Sequence, residues 1–147
     1  MSEIWMVYAL IGAILWGIDY AIAEKVLQRI SVTTFVTIHL FFGFITAAVL
    51  AYFSRSFQSD VNLLASNKGT LAWFIAGLVA FVAASIIIPF AIQNKNATVI
   101  GLIEISYPLF IILFSWLLFR TYHLSWHLAL GGVLVIAGIS IIYYFQK

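Results

Sequence analysis

From Gln93 to Arg120 the chain reads QNKNATVIGLIEISYPLFIILFSWLLFR, a polar rim (Gln93-Asn94-Lys95-Asn96) followed by a long apolar run that holds one carboxylate, Glu104. Ala97 to Phe119 is long enough to cross a bilayer, since about 20 mainly apolar residues span the hydrocarbon core. A carboxylate inside such a run is costly and rare, and by default it faces protein or a water-filled cavity and marks a functional site. Ala97, Gly101, Glu104, Pro108, Ile111 and Ser115 follow one another at steps of four, three, four, three and four. On a helix they form one narrow stripe of small, polar and helix-kinking residues, with Leu, Ile, Phe and Trp filling the rest of the surface. Small residues admit a neighbouring helix closely, and a mid-helix proline releases backbone carbonyls that can line a cavity. The stripe is therefore expected to look inward.

Composition sets the solvent. The chain has 147 residues, 65% hydrophobic and 8% charged, with a mean hydropathy of +1.13. A soluble domain carries roughly 25% charged residues, so most of this surface must meet lipid. Cysteine is absent, which excludes a disulfide framework and a thiolate metal site. The net charge of +2 is scattered between apolar segments, with no basic cluster to attract nucleic acid.

Outward from the opening stretch, four more runs qualify as spans, giving Ile4–Ala23, Val32–Phe53, Leu71–Ile92, Ala97–Phe119 and Ser125–Phe145. The fold expected is an all-α membrane protein, a bundle of five transmembrane helices forming one domain over residues 1–147. Connections are short except Ser54–Thr70, whose Ser, Asn, Asp and Gly content reads as a polar loop. The alternative there is an apolar stripe of Phe57, Val61 and Leu64 lying on the membrane surface. Trp5, Tyr8, Tyr20, Trp73, Trp126, Tyr143 and Tyr144 cluster near segment ends, where amphipathic rings favour the interface. Ala21-Ile22-Ala23 resembles a signal-peptide cleavage box. No Lys or Arg precedes that segment, however, Glu3 stands where a basic region belongs, and Asp19 interrupts its end, so it reads as a span.

Strict alternation of direction fixes the depth of the polar groups. Asp19 lies four residues before the end of the first run, roughly 6 Å below the face opposite the amino terminus at about 1.5 Å per residue. His39, seven residues into the second run, and Glu104, seven into the fourth, lie about 10 Å below that same face. The expectation is one layer of three ionisable side chains that exchange protons or hold a small polar or cationic solute. Each has a structural alternative: an interhelical hydrogen bond for Glu104, snorkelling or end-capping for Asp19, and a plain hydrogen-bond donor for His39. Trp16 offers an aromatic wall or faces lipid, and Tyr107, a turn beyond Glu104, offers its hydroxyl to that carboxylate or fills space. Gln93, Asn94 and Asn96 sit at the mouth, where water is their simplest partner. Asn96-Ala97-Thr98 is a weak match to a glycosylation acceptor.

Other chemistry recedes. His123 and His127 are four apart, but Leu124 stands where a metalloprotease helix needs glutamate, and both lie a membrane away from His39. No phosphate loop, Gly-x-Ser-x-Gly elbow or dinucleotide fingerprint occurs, so no enzyme, metal or cofactor is expected. Gly131 and Gly138 with Gly132 and Ala137 mark a tight helix contact in the last run, either internal or between two copies.

Leu15-Trp16-Gly17, Thr34-Phe35, Ala91-Ile92 before a polar bend, Leu102-Ile103-Glu104 with Pro108, and Gly131 to Gly138 together resemble, in order and spacing, the EamA repeat of the drug/metabolite transporter superfamily. The likeness runs from Leu15 to about Tyr143. It departs at His39, where arginine is frequent, at Tyr122, where a glutamate often follows, and in holding one five-helix repeat where two are usual. The resemblance implies half of a ten-helix exporter of amino acids, purines or other metabolites, in a bacterial inner (plasma) membrane. It also implies a partner that supplies the other half. Arg55, Lys68, Arg120 and the amino-terminal ammonium on one side balance Lys25, Arg29, Lys95 and Lys147 on the other, leaving almost no orientation signal. An antiparallel homodimer is therefore expected, resembling the small multidrug resistance proteins of the same superfamily. The alternatives are a flippase for a lipid or lipid-linked sugar and a scaffold subunit that transports nothing.

Overall fold

The computed structural model describes residues 4–121 and 125–145, and every regular element among them is helical. In order these are α1 (Ile4–Leu27), α2 (Val32–Phe53), α3 (Phe57–Ser66), α4 (Lys68–Asn94), α5 (Ala97–Glu104), α6 (Tyr107–Phe119) and α7 (Trp126–Phe145). Five spans result, the fourth made of α5 and α6 in series, so the five-pass bundle expected from the sequence is the fold obtained. Helices are the economical answer in lipid because each satisfies its own backbone polar groups.

Two boundaries move. α1 continues one turn past Ala23 to Leu27, carrying Glu24 and Lys25, and α4 already begins at Lys68. A third difference is a correction: most of the stretch read as a polar loop, Ser54–Thr70, is helical. Phe57, Val61 and Leu64 recur at steps of four and three, and α3, which carries them, packs against α4. The contact with α4 outweighs the Ser, Asn and Asp content that suggested a loop, since tertiary packing rather than propensity supplies most helix stability.

The chain divides into two compact units, Ala23–Asn94 and the remainder on either side of it. In the first, α2 and α3 each pack on α4, and the buried side chains Ala23, Leu27, Val32, Phe35, Val36, Pro89 and Ile92 lie near the ends of α1 and α4 and the start of α2. Gln93 Nε2 donates to the Leu27 carbonyl at 3.0 Å, supplying a partner for one of the carbonyls that the end of α1 leaves over. Ser31 caps α2 by accepting from the Thr34 N–H.

In the other unit α5 packs with α7, and Ala97 and Val99 in the first turn of α5 are buried. A methyl group added at Gly132 of α7 would stand 2.7 Å from Leu109 Cδ2 of α6, so this glycine is what lets the two helices touch. Gly131 and Gly138, the pair the sequence singled out, have open space around them. At the end of α6, Arg120 takes a left-handed conformation (φ 56°). Its N–H bonds the Trp116 carbonyl and that of Thr121 the Ser115 carbonyl, while its guanidinium lies 5.4 Å from the Trp116 ring centre.

Asn96 opens α5 by accepting from the Val99 N–H at 2.9 Å. Asn96→Ala is expected to cost about 1 kcal/mol, the usual worth of such a cap, with Asn96→Asp recovering most of it. Thermal unfolding in detergent measures this, and equal midpoints for all three proteins would mean the cap contributes nothing.

Candidate functional site

Pro108 has no N–H, so it cannot donate to the carbonyl of Glu104, and its ring crowds that turn. The helix accordingly breaks just after Glu104. Ile105 still bonds the Gly101 carbonyl at 3.1 Å, Ser106 N–H shifts to the Ile103 carbonyl at 3.1 Å, and Leu109 N–H bonds the Ser106 carbonyl at 2.9 Å. α6 then restarts with proline in its first turn, the position that tolerates it best. Glu104 thus ends a half-helix. Interrupted spans of this kind are tolerated where protein or a water-filled cavity surrounds them, and in secondary transporters they form the binding site.

A second helix reaches the carboxylate. The Tyr20 hydroxyl of α1 donates a hydrogen bond to Glu104 Oε2. The phenol ring rests over Gly101, one turn before Glu104, at a distance where an added Cβ would only touch Tyr20 Cδ2, 3.7 Å away. On the other side the Tyr20 ring meets Trp16 edge-on, with centroids 5.9 Å apart and planes at 79°. Glu104, Tyr20 and Asp19 are all half-buried. A bond from a hydroxyl offsets part of the cost of keeping a carboxylate out of water, while its remaining lone pairs can accept a proton or a cationic group.

The residues expected from the sequence distribute unevenly. Asp19, Trp16, Glu104 and Tyr107 belong to one compact unit, and His39 to the other. Asp19 stands next to Tyr20 on α1, and Trp16 is 63% exposed beside it. Tyr107 begins α6 and is 58% exposed; the hydroxyl on Glu104 is that of Tyr20. His39 Nδ1 lies 3.2 Å from the carbonyl of Phe35 one turn back, and its ring lies against that of Phe35 with centroids 3.9 Å apart. This is the geometry of the hydrogen-bond donor weighed for it. Of the amides at the mouth, Gln93 and Asn96 are engaged at helix ends as above, and Asn94 donates to the Phe90 carbonyl at 2.8 Å. His127 is exposed, while Tyr122 and His123 lie outside the described residues, among which no His, Cys, Asp and Glu cluster suits a metal ion.

Tyr20 is the residue the sequence reading passed over, grouping it with the interfacial aromatics. A signal was present. A glycine one turn before an intramembrane acid leaves a gap that another side chain can fill, and Tyr20 follows Asp19 directly.

No curated protein and no solved structure is significantly similar to this chain. The model of the EamA-like transporter family matches residues 3–144, nearly the entire sequence. Five apolar spans, a fourth span broken at an intramembrane glutamate and that match lead to one statement: the chain is an integral, multi-pass membrane protein of the EamA-like transporter family.

Proposed function

We propose that the protein is a secondary active exporter of a small polar or cationic metabolite, coupled to protons through Glu104, and that it is not an enzyme. The observation that carries this reading is the carboxylate at the α5–α6 break, met by Tyr20 from a second helix. A carboxylate there can hold either a proton or a cationic group, and such exclusive occupancy is what couples the two fluxes. Asp19 and His39 modulate it, and Trp16 and Tyr107 contribute aromatic surface. A bacterial inner membrane is the setting that family membership favours.

The working form is proposed to be an antiparallel homodimer, supported by the near-equal distribution of Lys and Arg between the two faces. Single cysteines placed between Ser54 and Thr70 are expected to react from both membrane faces. Reaction from one face only would remove the inverted pair.

Transport is tested with purified protein in vesicles carrying an imposed proton gradient, challenged with a panel of small polar and cationic metabolites. Accumulation that disappears when a protonophore collapses the gradient is the expected result. Accumulation indifferent to the gradient would remove the coupling. Dependence on an acyl or polyprenyl tail would indicate the flippase, and stable co-purification of another protein without transport would indicate the scaffold.

A further inference from the structure

The unit Ala23–Asn94 carries a depression of about 640 Å³ where α2 turns into α3. Its lower part is apolar. Phe44, Ala47, Ala48 and Ala51 follow at helical steps of three, one and three and line it with three methyl groups and a ring, and Tyr52 and Phe57 complete the apolar lining. Its upper part is polar, with Ser54, Arg55 and Gln58 lining it just beyond the last residue of the span, Phe53. From Phe44 to Phe53 the helix rises about 14 Å, close to one leaflet of a hydrocarbon core about 30 Å thick.

We propose that this depression is a binding site for a single anionic phospholipid, the phosphate held by Arg55 with Ser54 and Gln58, and an acyl chain lying on the alanine face of α2. Three features favour that occupant. Its volume falls within the range of small-molecule sites, about 300–1,000 Å³. Arginine beyond a helix end matches a phosphate at headgroup depth, by charge and by its paired N–H donors. The apolar and polar parts follow one another along α2 and just past its end in the order of a lipid's own tail and head, which a soluble anion would not require. This site stands apart from the transport reading and survives if that reading fails.

Native mass spectrometry of the full-length protein, released from detergent containing equal phosphatidylglycerol and phosphatidylcholine, tests the proposal. The expected result is retention of one phosphatidylglycerol in preference to phosphatidylcholine. Arg55→Gln is expected to lower that retention about fivefold, the effect of one arginine near an anionic headgroup, and Arg55→Lys to preserve most of it. Ala48→Phe fills the floor and is expected to abolish retention while Arg55 is intact; circular dichroism and gel filtration establish that each variant is folded. Equal retention of both lipids, or displacement by millimolar inorganic phosphate, would overturn the proposal. So would an Ala48→Phe protein that keeps its lipid but no longer self-associates, since the groove would then belong to a second copy of the chain.

Discussion

Vesicles containing Glu104→Gln protein are expected to transport no faster than protein-free vesicles. Glutamine keeps the shape of the side chain, and its amide oxygen can still accept from the Tyr20 hydroxyl that now bonds Glu104 Oε2. What it loses is the charge and the ability to take up and release a proton, the two properties that coupling requires. Thermal stability should be unchanged or higher, because a neutral amide costs less to bury than a carboxylate. Tyr20→Phe separates the roles further. It removes one donor and leaves the ring over Gly101, so transport should fall by no more than about a hundredfold, the scale of one hydrogen bond to a charged group. The measurement is initial uptake rate alongside the unfolding midpoint of the same preparations. Full activity of Glu104→Gln would take the carboxylate out of the mechanism and leave it a packing group.

The second large effect is on assembly of the fold. Gly132→Leu is expected to destabilise the protein by about 1–3 kcal/mol, the usual cost of overfilling a packed contact. Even a methyl group there would sit 2.7 Å from Leu109 Cδ2, and a whole leucine leaves α6 and α7 no way to stay together without moving backbone. Gly131→Leu is the control, since nothing stands within 4 Å of the position a Cβ would take. Shortening the opposing residue should compensate, and Gly132→Leu with Leu109→Ala is expected to recover much of the loss. That non-additivity is the signature of a direct contact. Unfolding midpoints in one detergent decide the matter: equal losses for Gly131→Leu and Gly132→Leu would mean that the contact with Leu109 is not what makes the glycine necessary.

Much of this was legible in the residues. Five spans followed from run length, because the hydrocarbon core imposes a minimum on any apolar helix that crosses it. Glu104 stood out because its cost has no structural return in lipid alone, and Pro108 announced a disturbance four residues later. The Tyr20 bond was harder to read. Its place near the end of an apolar run is also where tyrosines meet headgroups, and periodicity reports the face a side chain occupies but not which neighbouring helix it meets. α3 was obscured for a related reason. Its Ser, Asn and Asp residues lower helix propensity, while the contact with α4 that stabilises it is tertiary.

Few side chains are shielded by the rest of the polypeptide. Among the described residues the buried apolar ones are Ala23, Leu27, Val32, Phe35, Val36, Pro89, Ile92, Ala97 and Val99, while many Trp, Phe, Leu and Ile side chains along every span remain more than a third uncovered. In an aqueous compartment such a sequence has too little interior to condense around. Its nascent form is therefore expected to enter the bilayer as it is made, without a soluble stage.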